Sequence, residues 1–396
     1  MNVLFISNIY PNHQEMNTAT FNRQQVAYLK THCDIDVVAP VPWVKIFRFG
    51  KVQYNELIEN INVYHPLYYY IPKLFRCLQG LFFYMSIYST VRNLFKKRKY
   101  DIIYASWLYP DGWAASLFSK KYSVPLVIQV LGTDVNRLKH DGILIKQSLD
   151  AINASVKVIC VSKDLYNRLK NFGVDENKLA VVYNGVDKKI FYPVDKDAAR
   201  KSLGIVENFK IVLYVGNLKK EKGLGELLRA YACLNENKDV MKHKLFIIGS
   251  GSYLKNMKKM IKSDLSLKDV VFLGRQPLES VAIWMNAADV VCLPSYSEGL
   301  PNVINEALAC NKKIIATSVG GIPEMMTEKG LLYLVEPMNH IELYNKIKEV
   351  TMGEDNYINI PSLNSWEDHA REVREIFCYV KENINSYFMP EVTPIK

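Results

Sequence analysis

Two glutamates, Glu298 and Glu306, are separated by seven residues in the run Pro294-Ser295-Tyr296-Ser297-Glu298-Gly299-Leu300-Pro301-Asn302-Val303-Ile304-Asn305-Glu306. The run leaves an apolar strand, turns through Gly299 and enters a helical pattern with Pro301 in its first turn, where a missing N–H costs nothing. Amides of Gly299 and Leu300 at such a helix start point toward an anion, and the helix dipole favours negative charge there. A diphosphate fits that position. Two carboxylates flanking an anion site suit neutral hydroxyl donors, so the spacing points to a nucleotide sugar. Upstream, Val215-Gly216-Asn217-Leu218-Lys219-Lys220-Glu221-Lys222-Gly223 follows another strand and opens another helix. A lysine at that helix start, Lys222, would lie over the phosphates as a charge that offsets theirs. Taken singly, each feature has a plainer reading: the glutamate spacing arises by chance, Glu298 caps a helix, and Lys222 is a solvated lysine.

The elements that must hold these residues follow from the hydrophobic pattern. Short β-branched runs alternate with helical patterns to about residue 340, as parallel sheets of βαβ units require. Strands are expected near 2–7, 35–40, 61–65, 101–105, 125–130, 157–161 and 179–183, then near 210–215, 244–248, 270–273, 289–293, 312–316 and 331–335. Turn residues from Asn184 to Pro193 separate the two series. The reading is an α/β protein with two doubly wound, Rossmann-like domains, 1–187 and 188–364, and a crossover helix and tail, 365–396. In such folds ligands bind beyond the carboxyl ends of the strands, so a central cleft between the domains is expected. Ser365-Trp366-Glu367-Asp368 reads as an N-cap with acids in the first helical turn, and the amphipathic run after it as a long helix crossing back to the N-terminal domain.

Together these segments resemble glycosyltransferase family 4, retaining enzymes of the GT-B fold, and the resemblance covers nearly the whole chain. It implies a hexosyltransferase in which Glu298 contacts donor-sugar hydroxyls, the Gly299 and Leu300 amides hold phosphate and Glu306 holds the ribose. Ile248-Gly249-Ser250-Gly251 resembles the family's G-x-G turn, and Phe272-Leu273-Gly274-Arg275 the segment that reads the base. Gly320-Gly321-Ile322-Pro323-Glu324 resembles the loop beside the donor sugar. Gly216, Asn217 and Ala19 fall in the remaining phosphate-facing loops. Three positions depart from the pattern: Asn217 where many members carry Arg, Ala19 where a Gly lets the backbone approach the phosphate, and Leu131 where a His is common. Tyr104 and Ser106 replace an H-x-H, and His13 and His140 read as loop residues. Trp107-Leu108-Tyr109-Pro110-Asp111-Gly112 and Val130-Leu131-Gly132-Thr133-Asp134 are similar to a bacterial polysaccharide-assembly branch. Asp111 and Asp134 either orient the acceptor hydroxyl or cap helices. No general base is assigned, because in retaining transfer the departing phosphate oxygen can take the acceptor proton.

Gly249-Ser250-Gly251 does not complete a G-x-G-x-x-G, since position 254 is Leu, which argues against a nicotinamide cofactor. Asp34-Ile35-Asp36 matches a D-x-D metal motif but sits at a strand entrance and reads as structural. No cofactor and no essential metal are expected, with the nucleotide sugar as co-substrate.

Composition bounds the alternatives. At 396 residues, 49% hydrophobic and 23% charged, the chain is an ordinary globular protein of about two domains. Seven scattered cysteines form no C-x-x-C, which suits a reducing cytoplasm. The N-terminus reads directly into a strand, without the features of a secretory signal. Cys77–Val91 is uncharged over 15 residues, short of the roughly 20 needed to span a bilayer. The net charge is +10, and residues 1–187 carry 22 basic against 14 acidic side chains, a net of +8. Arg76, Arg92 and Lys96-Lys97-Arg98-Lys99 flank an aromatic stretch (Tyr68, Tyr69, Tyr70, Phe75, Phe82, Phe83, Tyr84, Tyr88), as on an interfacial helix at an anionic leaflet. The competing reading is that these aromatics pack the core. No nucleic-acid motif accompanies the charge. The expectation is a peripheral enzyme at the inner face of the cytoplasmic membrane that extends a lipid-linked glycan. A nucleotide-sugar epimerase and a non-catalytic partner subunit are the alternatives.

Overall fold

The computed structural model describes all residues except 47–49, 51, 71–75, 137, 139–141, 237–240, 327–329, 354–362 and 384–396. The chain divides into two compact units, Met1–Asn184 together with the segment from Trp366 onward, and Gly185–Ser365.

The first unit is built on strands β1 (Asn2–Ile6), β2 (Asp34–Val38), β4 (Asn55–Ile58), β5 (Ile61–Tyr64), β7 (Ile102–Ser106), β8 (Leu126–Val130), β9 (Lys157–Cys160) and β10 (Leu179–Val181), in the order β10-β9-β8-β7-β1-β2-β5-β4. All pair in parallel except β4 with β5. Both faces of the central strands are covered, and Val3, Leu4, Phe5 and Ile6 are inaccessible to solvent; this is why these strands read as unbroken apolar runs. The edge strand β4 alternates in and out. It turns into β5 through Glu59 and Asn60, both at positive φ, the backbone of a two-residue hairpin. Two-residue strands β3 (Val41–Pro42) and β6 (Leu67–Tyr68) pair separately. Neither these nor β4 is signalled by the hydrophobic pattern.

Helix Trp366–Glu382 belongs to this unit. It packs on helix Thr20–Leu29, burying Ala370, Val373, Phe377 and Val380 with Val26 and Leu29, and the Phe377 ring meets Tyr104 edge-on at 5.2 Å. His369 is fully buried and donates from Nδ1 to the Tyr183 carbonyl at 2.9 Å. Burial pushes its pKa down to about 4, so the ring is neutral at physiological pH. The expected crossover is therefore present, and its helix completes the core of the N-terminal unit.

Helix Thr20–Leu29 starts from Ala19 at φ 49°, ψ 45°, left-handed backbone that an alanine adopts at a cost of about 1 kcal/mol. The sequence marks this position as one where glycine would be easier, and the chain takes the glycine conformation without the glycine. Ala19→Gly should raise the melting temperature of this unit by about 2–4 °C. An unchanged or lower melting temperature would show that neighbouring contacts hold the loop without strain.

The second unit carries β11 (Lys210–Val215), β12 (His243–Ile248), β13 (Val271–Gly274), β14 (Val290–Leu293), β15 (Ile314–Thr317) and β16 (Leu332–Val335), all parallel, in the order β13-β12-β11-β14-β15-β16. The order reverses between β11 and β14, as it does in the first unit between β1 and β7. Loops leaving neighbouring strands at such a switch point diverge to opposite faces and open a crevice at the carboxyl edge.

Candidate active site

In the second unit the two motif loops leave β11 and β14, adjacent strands that are not consecutive in sequence. They are fastened together. Gly223 sits at φ 65° against the Pro294 backbone, so closely that a β-carbon would overlap the Pro294 carbonyl oxygen. The Tyr296 amide donates to the Glu221 carbonyl at 2.9 Å. The Tyr296 hydroxyl donates to the buried Glu226 carboxylate, which Arg229 also meets. The result is a short bridge between the two expected site residues: Lys222 Nζ lies 2.6 Å from Glu298 Oε1. Ser295 Oγ donates to the same oxygen at 2.6 Å. The Glu298 side chain is 8% exposed and that of Lys222 23%. Ser295, Tyr296 and Gly223 lie inside the motif segments, but their roles follow from the pairing of the loops, which spacing does not reveal.

Helix Asn302–Ala309 begins one residue after Pro301, which occupies the cap in extended backbone rather than the first turn. Among the described residues neither the Gly299 nor the Leu300 amide has an acceptor, and the Gly299 carbonyl accepts from Gly321 N at 2.8 Å. Those amides are available to an anion. Glu306 lies within this helix, partly exposed. Burial pushes its carboxyl up to about 7. Its unfolded-state value is near 4.5, so the folded protein holds the proton more tightly. Stability relative to a non-titrating side chain is highest below about pH 4.5 and is lost as pH rises through 7. Glu306→Gln should therefore gain about 1–2 kcal/mol over the parent between pH 4.5 and pH 8 in denaturant titrations. A pH-independent difference would place that carboxyl in water.

A third loop set flanks the first two. A β-carbon on Gly249, at φ 139°, would overlap the Gly216 carbonyl, and Leu218 N donates to the Ser250 carbonyl at 3.0 Å. Arg275 Nε donates to Ser250 Oγ at 2.7 Å, and Gly249 N to the Gly274 carbonyl at 2.7 Å. The Gly216, Gly249–Gly251 and Gly274–Arg275 segments thus form one continuous rim, with Asn217 exposed on it.

In the first unit, Asp134 fastens two loops. Its carboxylate accepts from the amides of Gly132 (2.8 Å), Leu131 (3.2 Å) and Leu108 (3.3 Å). Asp111 is fully buried and accepts from Asn8 N at 3.1 Å through Oδ2. Its Oδ1 has no partner among the described residues. Burial raises its carboxyl well above the ordinary value; the Asn8 amide opposes this and Asp134 adds to it. Both aspartates are thus built into the loop framework at the carboxyl ends of β1, β7 and β8. Trp107, at φ 91°, begins the same framework. His13 pairs with Glu56 at 2.5 Å, and His140 lies outside the described residues. In the D-x-D segment, Asp36 accepts from Arg98 Nη1 (3.1 Å) and the Tyr100 hydroxyl (2.7 Å), which is a structural use of that carboxylate.

The family profile described as Glycosyl transferases group 1 matches residues 195–373, and that described as Glycosyltransferase Family 4 matches residues 20–189. The chain is 31% identical over 341 residues to the putative teichuronic acid biosynthesis glycosyltransferase TuaC of Bacillus subtilis (strain 168), covering 82% of this chain and 83% of that one. The chain belongs to glycosyltransferase family 4. This transferase is a retaining enzyme that uses a nucleotide sugar. It is also 27% identical over 294 residues to the N-acetyl-alpha-D-glucosaminyl L-malate synthase of Bacillus anthracis, covering 73% of each chain. Its GT-B fold is shared with sucrose-phosphate synthase from Thermosynechococcus elongatus (TM-score 0.79, 20% identity, 96% and 98% covered). Anabaena HepE in complex with UDP and glucose shares it too (TM-score 0.70, 19% identity, 98% of each covered). In this family 4 glycosyltransferase, Ala19 and Asn217 sit on loops at the carboxyl edges of the two sheets. Leu131 N is held by Asp134.

Proposed function

We propose that this glycosyltransferase moves a sugar from a nucleotide-sugar donor bound by the second unit to a lipid-linked glycan acceptor served by the first, in cell-surface polysaccharide assembly. On the donor side, Lys222 and the Gly299 and Leu300 amides receive the diphosphate, Glu298 accepts from sugar hydroxyls, Glu306 from the ribose, and the rim at Gly249, Gly251 and Arg275 receives the base. The bond from the anomeric carbon to the phosphate oxygen breaks as the acceptor oxygen bonds the same face. The acceptor proton passes to the departing phosphate oxygen, and Lys222 offsets the charge gathering there. Asp111 and Asp134 hold the acceptor-side loops in place. Likeness to a teichuronic acid enzyme supports the polysaccharide setting.

The observation that carries the lipid step is a stripe on helix Gln79–Lys97. Leu78, Leu81 and Met85 are exposed at helical spacing, Met85 by 63%, and Arg92, Lys96 and Lys97 are exposed further along. Such a surface suits the boundary of an anionic leaflet. The aromatics divide differently from a simple membrane face: Phe83 and Tyr68 are buried, Tyr84 packs on Phe118 at 4.6 Å, Tyr69 is exposed, and Phe75 lies outside the described residues. Among the described residues no helix is long and apolar enough to cross a membrane.

A panel of UDP-, GDP-, ADP- and CMP-sugars, each with and without membrane lipid extract, tests the reading. Nucleotide release that depends on lipid is the expected outcome. Sugar isomerisation without acceptor would mark an epimerase, and binding without turnover a non-catalytic subunit. In flotation with phosphatidylglycerol-rich vesicles, Leu81→Glu combined with Met85→Glu should remove most of the bound fraction. Undiminished flotation would remove the helix from the acceptor pathway.

A further inference from the structure

The bridge between Lys222 and Glu298 poses a problem that the donor must solve. Glu298 is nine-tenths buried, and its Oε1 holds both Lys222 Nζ and Ser295 Oγ at 2.6 Å. In this state each group occupies the other: the cation meant for phosphate holds a carboxylate, and the carboxylate meant for hydroxyls holds a cation. A diphosphate that draws Lys222 away leaves Glu298 with Ser295 alone, and stripping a buried charge of its partner is costly. It also brings two anions together. A free nucleoside diphosphate bears that cost in full. An intact nucleotide sugar does not, because its hydroxyls donate to the vacated carboxylate.

We propose that Glu298 stands in for the donor diphosphate when the site is empty, and that exchange of Lys222 between carboxylate and phosphate makes the site favour sugar-bearing nucleotide over the spent nucleotide. Once the sugar has left, Glu298 recaptures Lys222 and the nucleoside diphosphate is released. The inference rests on the donor-site reading above and adds discrimination between substrate and product by the same two side chains.

Calorimetric titration of UDP against UDP-glucose, with GDP and ADP and their glucose conjugates in parallel, tests it on the intact chain. Glu298→Gln removes the competing charge and keeps the shape, so the free nucleotide should bind about tenfold more tightly than to the parent. The intact donor should gain less, and the preference for it should shrink. Ser295→Ala works in the opposite sense, since it leaves the vacated carboxylate without any donor: nucleotide affinity should fall more than donor affinity. In a Lys222→Gln background, Glu298→Gln should raise nucleotide affinity by clearly less than about tenfold, because only the repulsion between carboxylate and diphosphate is left to relieve. Unchanged or weaker nucleotide binding by a normally melting Glu298→Gln protein overturns the exchange, even where the parent binds its donor. Should Glu298→Gln melt early, the Ser295→Ala result decides by its sign. Failure of the parent to bind any nucleotide sugar overturns the donor site itself.

Discussion

Lys222→Ala is expected to slow sugar transfer about 10²–10³-fold, the scale on which a single group stabilising transition-state charge acts. Lys222 emerges from a short turn, Lys220–Lys222, followed by Gly223 packed against Pro294, so its backbone is fixed and only the ammonium has to pass from Glu298 to the proposed diphosphate position. Charge on the leaving diphosphate grows as the anomeric bond lengthens, and a cation beside that phosphate reduces the barrier more than it tightens ground-state binding. Most of the loss should therefore fall on kcat, with a smaller rise in KM. Lys222→Arg should recover part of it, since charge is kept while the point contact is altered. A full-length protein whose kcat survives Lys222→Ala while KM alone rises would reduce this lysine to a binding group.

The second outcome concerns a residue with no side chain. Gly223→Ala should destabilise the second unit by about 3 kcal/mol or more, because left-handed backbone and overlap with the Pro294 carbonyl act together. Relief of the overlap requires the loops after β11 and β14 to separate, and both the Tyr296 amide bond to Glu221 and the Lys222–Glu298 contact cross that seam. Donor binding should be lost along with stability. Gly204→Ala supplies the control: Gly204 has a similar φ, 71°, with no atom within 4 Å of the added carbon. It should cost only about 1 kcal/mol and leave transfer intact. Equal losses from the two substitutions, in melting and in donor titration, would show that backbone strain alone accounts for Gly223.

Much of this was legible in the sequence because parallel strands buried on both faces write themselves as apolar runs, and the motif residues stand on the loops after them. The strands of both central sheets were readable for that reason. The hairpin Asn55–Tyr64 was not, since Glu59-Asn60 is a poor turn signal and β4 is short with a solvated face. The contact between Lys222 and Glu298 was also hidden. It depends on β14 lying beside β11, and strand order is a property of the sheet rather than of any local segment. Asp134 offered two readings, and its three amide partners come from two loops that meet only when β7 and β8 pair. Ala19 was legible as a difficulty, whereas its solution, a strained alanine at the helix start, required the backbone.

The helix Trp366–Glu382 completes the first unit's core, although the whole second unit intervenes in the chain. The second unit is therefore an insertion: it opens near Val186 and closes at Asn364 and Ser365, where Val186 N donates to the Asn364 carbonyl at 2.9 Å. During synthesis the ribosome delivers most of the first unit, then the entire second unit, and only then the helix that seals the first unit around Phe377 and Val373. The half that starts earliest is thus finished last. Until then the Val26 and Leu29 face of helix Thr20–Leu29 lacks its cover, which makes that interval the time when the nascent enzyme most needs protection from association with other chains.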